Sequence, residues 1–195
     1  MERDEKTLWN QKYGERSHTS LEPDPFLISG YSEFIGESTP GSALDVAGGT
    51  GRHTLWLAER GWNVTLVDVS EVGIDLARRN LAQLHSKEQI SAVEFKVLDL
   101  ERIRDLGHEQ YDLVLVFFYL QRELFPALIS ALRPRGFLIY KTYTIDQQRF
   151  PGGPSHPMHM LQPNELLRAF SALRILYYHE NLRQKGVAEL LARKG

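Results

Sequence analysis

The sequence predicts a doubly wound α/β fold. It has a mostly parallel seven-stranded sheet, helices on both faces and an antiparallel strand pair closing the C-terminal edge. Three observations carry that reading. Ala43–Ala47 is a short apolar run ending in the small-residue turn Ala47-Gly48-Gly49-Thr50-Gly51. A second apolar run, Asn63–Val67, ends beside Asp68. Tyr111–Phe117 is almost unbroken in apolar character, as a strand covered on both faces requires. Strand, glycine turn, helix, then a strand ending in a carboxylate is the order of a nucleotide-binding half-sheet.

Each element has its own signal. Trp9 and Tyr13 lie four apart, which suits a helix near 5–13, and Pro23 and Pro25 break the chain before a second helix near 25–36. Strand Ala43–Ala47 feeds a helix near Gly51–Arg60, where Leu55, Trp56 and Ala58 can face the sheet and Gly61 stops the helix. Strand Asn63–Val67 feeds a helix near Glu71–Leu84 that Ser70 can cap. Strand Val93–Leu98 follows, with a short helical or irregular piece at 100–106. After the central strand comes a helix near Arg122–Leu132, stopped by Pro134, and strand Phe137–Tyr143 follows the Arg135-Gly136 turn. Thr144–Pro163 reads as a long loop, with Gly152-Gly153 flanked by prolines in the manner of a hinged lid. A helix from Pro163 to Ala169 and strands near Leu173–His179 and Gly186–Ala192 complete the chain.

At 195 residues the chain fits one domain, read as a helical cap at 1–40 on a core at 41–195. A net charge of −2 provides no global basic field for nucleic acid or an anionic membrane. Without cysteine, disulfides, thiolate metal sites and a cysteine nucleophile are excluded. Met1–Lys6 is charged with no apolar run behind it, and no stretch approaches the ~18 apolar residues of a membrane helix. A cytoplasmic protein without a membrane partner is expected; no metal site is expected, and the oligomeric state is left open.

The turn discriminates between nucleotide cofactors. A nicotinamide fingerprint needs a third glycine for close packing of helix on strand, and Thr54 stands there instead. An acid, Asp45, precedes the turn. That favours a cofactor with a cation and no pyrophosphate, and S-adenosyl-L-methionine has a sulfonium, an amino-acid end, a ribose diol and an adenine. Asp45 can offset positive charge, backbone N–H groups at the turn can meet a carboxylate, Asp68 can accept from both ribose hydroxyls, and Asp99 can accept from the adenine amine.

At this point the chain resembles the class I S-adenosylmethionine-dependent methyltransferases. Asp45-Val46-Ala47-Gly48-Gly49-Thr50-Gly51 matches their acid-x-Gly-x-Gly-x-Gly motif, with Ala47 in place of the first glycine. Asp68, Asp99, the run Tyr111–Val116 and Leu132–Leu138 match later motifs. The resemblance implies a Rossmann-like core whose cofactor set is Asp45, Ala47, Gly49, Gly51, Asp68, Val69, Asp99, Leu100 and Phe117. More narrowly, Trp9-x-x-x-Tyr13, Pro25-Phe26-Leu27 and Met160–Leu167 resemble the small tellurite-resistance and thiol methyltransferases. Methyl transfer to a small-molecule acceptor, a thiol, a metalloid oxyanion or similar, is the implied activity. An RNA or protein methyltransferase, or a cofactor-binding module without catalysis, remains an alternative.

Acceptor-side candidates follow from chemistry. His156 and His159 could deprotonate a thiol or hydroxyl or help bind an oxyanion. Tyr119 follows the central strand, where base- and glutamine-methylating relatives carry an Asn/Asp-Pro-Pro-Tyr/Phe motif that is absent here. Arg149 and Lys141 could steer an anion, His53 could shape a helix start, and Trp9 with Tyr13 could cap the cofactor.

Overall fold

A computed structural model describes residues 5–15, 20–36, 39–84 and 86–195. The charged start at 1–4 and residues 16–19 of the first loop lie outside the described residues. By internal packing the chain forms two compact units, Met1–Ile103 and Arg104–Gly195.

The first unit contains α1 (Glu5–Gly14), α2 (Pro25–Phe34), β1 (Ser42–Val46), α3 (Arg52–Ala58), β2 (Asn63–Asp68), α4 (Glu71–Leu84), α5 (Lys87–Ser91) and β3 (Val93–Val97). Its strands are parallel, with Asp45 level with Leu66 and Asp68 level with Val97. α2 starts at Pro25 because Asp24 accepts the Phe26 N–H at 2.9 Å and a proline costs nothing in a first turn. On α4 the buried residues Ile74, Ala77 and Leu81 fall on one stripe, and they meet Leu66, Leu55, Ala58 and Phe95. Burying each Leu or Ile of that stripe contributes about 1.5–3 kcal/mol.

The sequence reading passed over α5. It buries no side chain, so it has no apolar period to register, but a capping box holds it. The Ser86 hydroxyl accepts the Gln89 N–H at 3.3 Å, and the Gln89 side-chain Oε1 accepts the Ser86 N–H at 2.9 Å. Leu100–Arg102 form a turn and the chain is irregular to 106, with no helix.

The second unit contains β4 (Tyr111–Phe117), a 3-10 turn at Arg122–Leu124, α6 (Phe125–Ala131), β5 (Leu132–Tyr143), 3-10 turns at Ile145–Arg149 and Pro157–His159, α7 (Glu165–Ala169), β6 (Arg174–Asn181) and β7 (Val187–Arg193). β4 and β5 are parallel, and β7 runs antiparallel to both β5 and β6. The order across the seven-stranded sheet is β3-β2-β1-β4-β5-β7-β6. Tyr140, Phe125 and Phe170 form an aromatic nucleus, with ring centroids 5.1 to 6.0 Å apart.

Two boundaries differ from expectation. The helix before β5 ends at Ala131, and the strand begins at Leu132 rather than Phe137. Leu132 pairs with Tyr111, Pro134 disfavours helix at Arg133, and Arg135 at φ +67° creates a bulge before Phe137 rejoins the ladder at Leu113. α7 begins at Glu165 rather than Pro163, because Asn164 is left-handed at φ +57° with its N–H donated to Glu180 at 2.7 Å.

The segment 144–163 is tied at its base. Thr144 pairs with Leu161, and Ile145 N–H and Leu161 N–H donate to Leu161 and Tyr143 carbonyls at 2.9 Å each. Inside it the buried Gln147 carboxamide donates to the Pro151 and Gly152 carbonyls at 3.3 and 3.0 Å and accepts the Gly186 N–H at 3.0 Å. The left-handed Gly152 and Gly153 therefore wrap a fixed amide. No helix among the described residues is long and apolar enough to cross a membrane.

Candidate active site

β1 ends in the turn that the sequence singled out. Ala47, Gly49 and Gly51 all have positive φ, at +54°, +57° and +82°. Gly51 is the N-cap of α3, and the Gly51 N–H closes the turn onto the Gly48 carbonyl at 3.0 Å. A Cβ at Gly49 would collide with the Tyr13 hydroxyl, so a larger residue there would displace that ring as well as strain the left-handed backbone. Ala47 occupies a position that glycine would take without strain.

Asp45 is buried within β1 and accepts the Thr54 hydroxyl at 2.8 Å. Burial pushes its carboxyl up to about 6, against the opposing pull of the Thr54 bond and the nearby Arg52. Thr54 therefore fills the place of the missing third glycine with a donor to the buried acid, which glycine could not supply. Asp68 closes β2 and ties the two strand ends together. One oxygen accepts the Gly49 N–H at 2.8 Å and the other accepts the Ser70 N–H at 2.8 Å. Burial raises its carboxyl above the ordinary carboxylate range, and those N–H bonds oppose the rise. The Val69 N–H also bears on this carboxylate, which still has acceptor capacity for a hydroxyl.

Val69 follows, half-buried, and the Leu98 N–H bonds to the Asp68 carbonyl at 2.8 Å, which brings the end of β3 level with the end of β2. Asp99 lies just beyond. One oxygen accepts the Glu101 N–H at 3.1 Å and the other pairs with Arg102 at 3.0 Å, with the side chain 35% exposed. Leu100 beside it is buried. In the first unit the structure thus gathers Asp45, Ala47, Gly49, Gly51, Asp68, Val69, Asp99 and Leu100 at the carboxyl ends of three adjacent strands.

α1 completes this end. Asn10 accepts the Ser70 hydroxyl at 2.7 Å and the Val72 N–H at 3.3 Å, and Lys6 pairs with Glu71 at 2.7 Å. Tyr13 stacks on Trp9 at 5.5 Å and lies buried against Gly49 and Gly73. Burial, followed by the charges of Asp68 and Asp45, drives its phenol far above the ordinary tyrosine value, so it stays protonated. The sequence reading reached Trp9 and Tyr13 but missed Asn10. The signal was there: Asn10 and Tyr13 are three apart and share a helix face. His53 is buried within α3.

The second unit holds the remaining candidates. Phe117 ends β4, buried. Tyr119 is half-buried, and its carbonyl accepts the Tyr140 hydroxyl at 2.9 Å. His156 and His159 are exposed on their 3-10 turn, rings 6.3 Å apart, and the Nδ1 of His156 accepts the Met158 N–H at 3.2 Å. Neither imidazole has a carboxylate partner among the described residues. The proposed steering charges are already matched, Lys141 by Glu189 at 2.9 Å and Arg149 by Asp146 at 3.1 Å. Sequence reasoning missed Arg122. It grips both oxygens of Glu165 at 2.6 and 3.0 Å and the Met158 and Met160 carbonyls at 2.8 and 2.9 Å, explaining the Met160–Leu167 motif as a clasp.

Comparison with known proteins agrees with this geometry. Residues 43–136 match the model of the methyltransferase domain. The ubiquinone biosynthesis O-methyltransferase of Idiomarina loihiensis is 26% identical over 162 residues, 71% of this chain and 65% of that protein. The chain thus spans just under two thirds of that relative's length. Among solved structures, TehB from Haemophilus influenzae superposes with a TM-score of 0.73 at 17% identity, over 95% of this chain and 67% of that one. Geranyl diphosphate C-methyltransferase from Streptomyces coelicolor, crystallised with S-adenosyl-L-homocysteine, gives a TM-score of 0.66 at 15% identity over 87% of this chain and 81% of that one. At such identities the likeness speaks for the fold. The domain match, over just under half of the chain, and the sheet order make this chain similar to class I methyltransferases, and its fold resembles that of TehB.

Proposed function

We propose that the chain transfers a methyl group from S-adenosyl-L-methionine to a small-molecule acceptor. The observation that carries this reading is the carboxylate of Asp68, held by the Gly49 and Ser70 N–H groups with acceptor capacity to spare, beside Gly49, where a Cβ would meet the Tyr13 hydroxyl. Those features suit a ribose diol laid close to backbone. Asp99 would accept from the adenine amine, with Leu100 and Val69 as apolar contacts. Buried Asp45 would offset cationic charge, and the Tyr13 hydroxyl would face the amino-acid end. When bound, the cofactor supplies a methyl group already activated by a sulfonium. The protein's part is then alignment and exclusion of water, which can provide up to ~7–11 kcal/mol of the barrier. On the acceptor side, Phe117 and Tyr119 would form walls, and His156 or His159 would take the proton that a thiol or hydroxyl gives up.

The test is direct. Calorimetric titration should show binding of S-adenosylmethionine and S-adenosylhomocysteine and none of NAD, and a thiol, phenol and metalloid panel should yield S-adenosylhomocysteine with at least one acceptor. Binding of NAD in place of the methionine cofactors would overturn the reading, and cofactor binding without turnover of any acceptor would favour a non-catalytic module.

A further inference from the structure

Phe118 stands immediately past the carboxyl end of β4 with φ +57°. For a bulky side chain the left-handed region is an outlier, tolerated only where neighbouring structure imposes it. Two bonds impose it here. The Phe118 N–H donates to the Lys141 carbonyl at 2.7 Å, and the next residue's carbonyl accepts the Tyr140 hydroxyl at 2.9 Å. Tyr140 is fully buried in the aromatic nucleus with Phe125 and Phe170, so the anchor belongs to the core.

The ring so placed lies 5.1 Å from Tyr143, tilted by 46°. Tyr143 is the last residue of β5 and is backed by Gly153 at φ +80°, where a Cβ would come within 3.1 Å of the tyrosine ring. Both rings are half-buried, so each keeps part of its surface open. Lys141 sits 5.8 Å from the Phe118 ring centre, but its charge is matched by Glu189 at 2.9 Å. The result is a fixed aromatic pair whose neighbouring cation, Lys141, is already matched by Glu189, at the strand ends where doubly wound folds open their crevice.

We propose that Phe118 and Tyr143 form the acceptor platform, and that the acceptor is an uncharged aromatic thiol or phenol stacked on Phe118. Lys141, held by Glu189, is poorly placed to receive a metalloid oxyanion. This inference rests on the methyl-transfer reading and narrows its substrate class. In the transfer, the acceptor's S–H or O–H proton leaves to a base or to water, and a sulfur or oxygen lone pair forms the bond to the methyl carbon. The carbon–sulfonium bond breaks with its electron pair kept by the departing thioether sulfur.

Matched probes test the platform. Phenylmethanethiol against cyclohexylmethanethiol, and phenol against cyclohexanol, are titrated into protein saturated with S-adenosylhomocysteine. The aromatic member of each pair should bind about tenfold tighter, the scale of one good ring contact. Phe118→Gly takes φ +57° without strain, which offsets part of the loss of a half-buried ring, so the fold should persist with a modest change in midpoint while the aromatic preference shrinks to about twofold or less. Tyr143→Leu should reduce the preference as well. Equal binding of both members by the wild type, no measurable binding of either aromatic probe, or a preference that survives Phe118→Gly would each overturn the platform. A fall in the midpoint with preference intact would make Phe118 structural. Turnover separates the two readings: aliphatic thiols methylated as readily as aromatic ones refute the platform alone, whereas aromatic preference without any S-adenosylhomocysteine formed refutes methyl transfer alone.

Discussion

The regions of the two units that carry chemistry are built by opposite means. At the carboxyl ends of β1 and β2, acids sit buried and answered by neighbours at most 19 residues away: Thr54 on Asp45, Gly49 and Ser70 on Asp68. At the end of β4, the parts are aromatic rings and loop carbonyls joined across the chain, as when Arg122 reaches Met158, Met160 and Glu165. The first arrangement positions charge, which tolerates little error at short range. The second positions surface, and its loop histidines stay in solvent. A cofactor common to many acceptors is suited by the first and a particular acceptor by the second.

The sharpest way to break that contrast is Asp68→Ala. It leaves the Gly49 and Ser70 N–H groups without their buried acceptor, and each such loss costs about 1–3 kcal/mol. Affinity for S-adenosylmethionine should fall by at least ~30-fold, with a thermal midpoint lower by several degrees. Calorimetry and a melting curve check both, and unchanged affinity would remove Asp68 from the site.

Asp45→Asn separates stability from function. The carboxyl has a folded value of about 6 against an ordinary 3.8, so the ionised form is disfavoured in the folded state. The sign follows: the folded state holds more protons between those values, and stability falls as pH rises through that window. By the shift alone, ionised Asp45 costs about 3 kcal/mol at pH 7. An uncharged amide that still accepts from Thr54 should therefore raise stability at pH 7 by about 1–2 kcal/mol, less than the full figure because one amide N–H gains no partner. The same variant should bind cationic S-adenosylmethionine more weakly while neutral S-adenosylhomocysteine changes less. In the wild type that preference for the cation should fade as pH drops from 7 to 5. A pH-independent ratio of the two affinities would sever Asp45 from the cofactor's charge.

Arg122→Ala probes the other end. It frees Glu165, 16% exposed, and two carbonyls of the loop, but the partly exposed guanidinium limits the loss to about 1–2 kcal/mol. Proteolysis within 150–159 should quicken, while S-adenosylhomocysteine affinity stays within about twofold. Loss of cofactor binding instead would show that the clasp supports both ends.

The difference in construction also explains what the sequence could disclose. The glycine turn, Asp68 and the parallel strands within each unit were legible because contiguous periodicity and local spacing encode them. Arg122 with Glu165, 43 residues apart, was not, since no short-range rule links a cation after one strand to an acid before a late helix. Gln147 was missed for the same reason: a polar residue in a loop gives no sign of being buried, yet it turned the expected hinge at Gly152-Gly153 into a fixed wrap. The left-handed backbone of Phe118 likewise follows from Lys141 and Tyr140, far along the chain.

The smallest expected effect lies inside the most legible motif. Ala47 has φ +54°, and its methyl group suffers the left-handed contact that costs roughly 1–2 kcal/mol for any residue with a Cβ. Ala47→Gly removes that strain but adds freedom to the unfolded chain, worth about 0.4–1 kcal/mol in the opposite direction. The balance predicts a gain of about 0.5–1 kcal/mol, seen as a rise of a few degrees at most in the melting midpoint, with cofactor affinity within about twofold. A matching change at Phe118 relieves the same strain but gives up a half-buried ring, so it should not share the full gain in stability, while the aromatic preference shrinks to about twofold or less. If Ala47→Gly destabilised the protein, the methyl group would be packing against something at the turn that outweighs its backbone cost, and the cofactor end would prove as dependent on its side chains as the acceptor end.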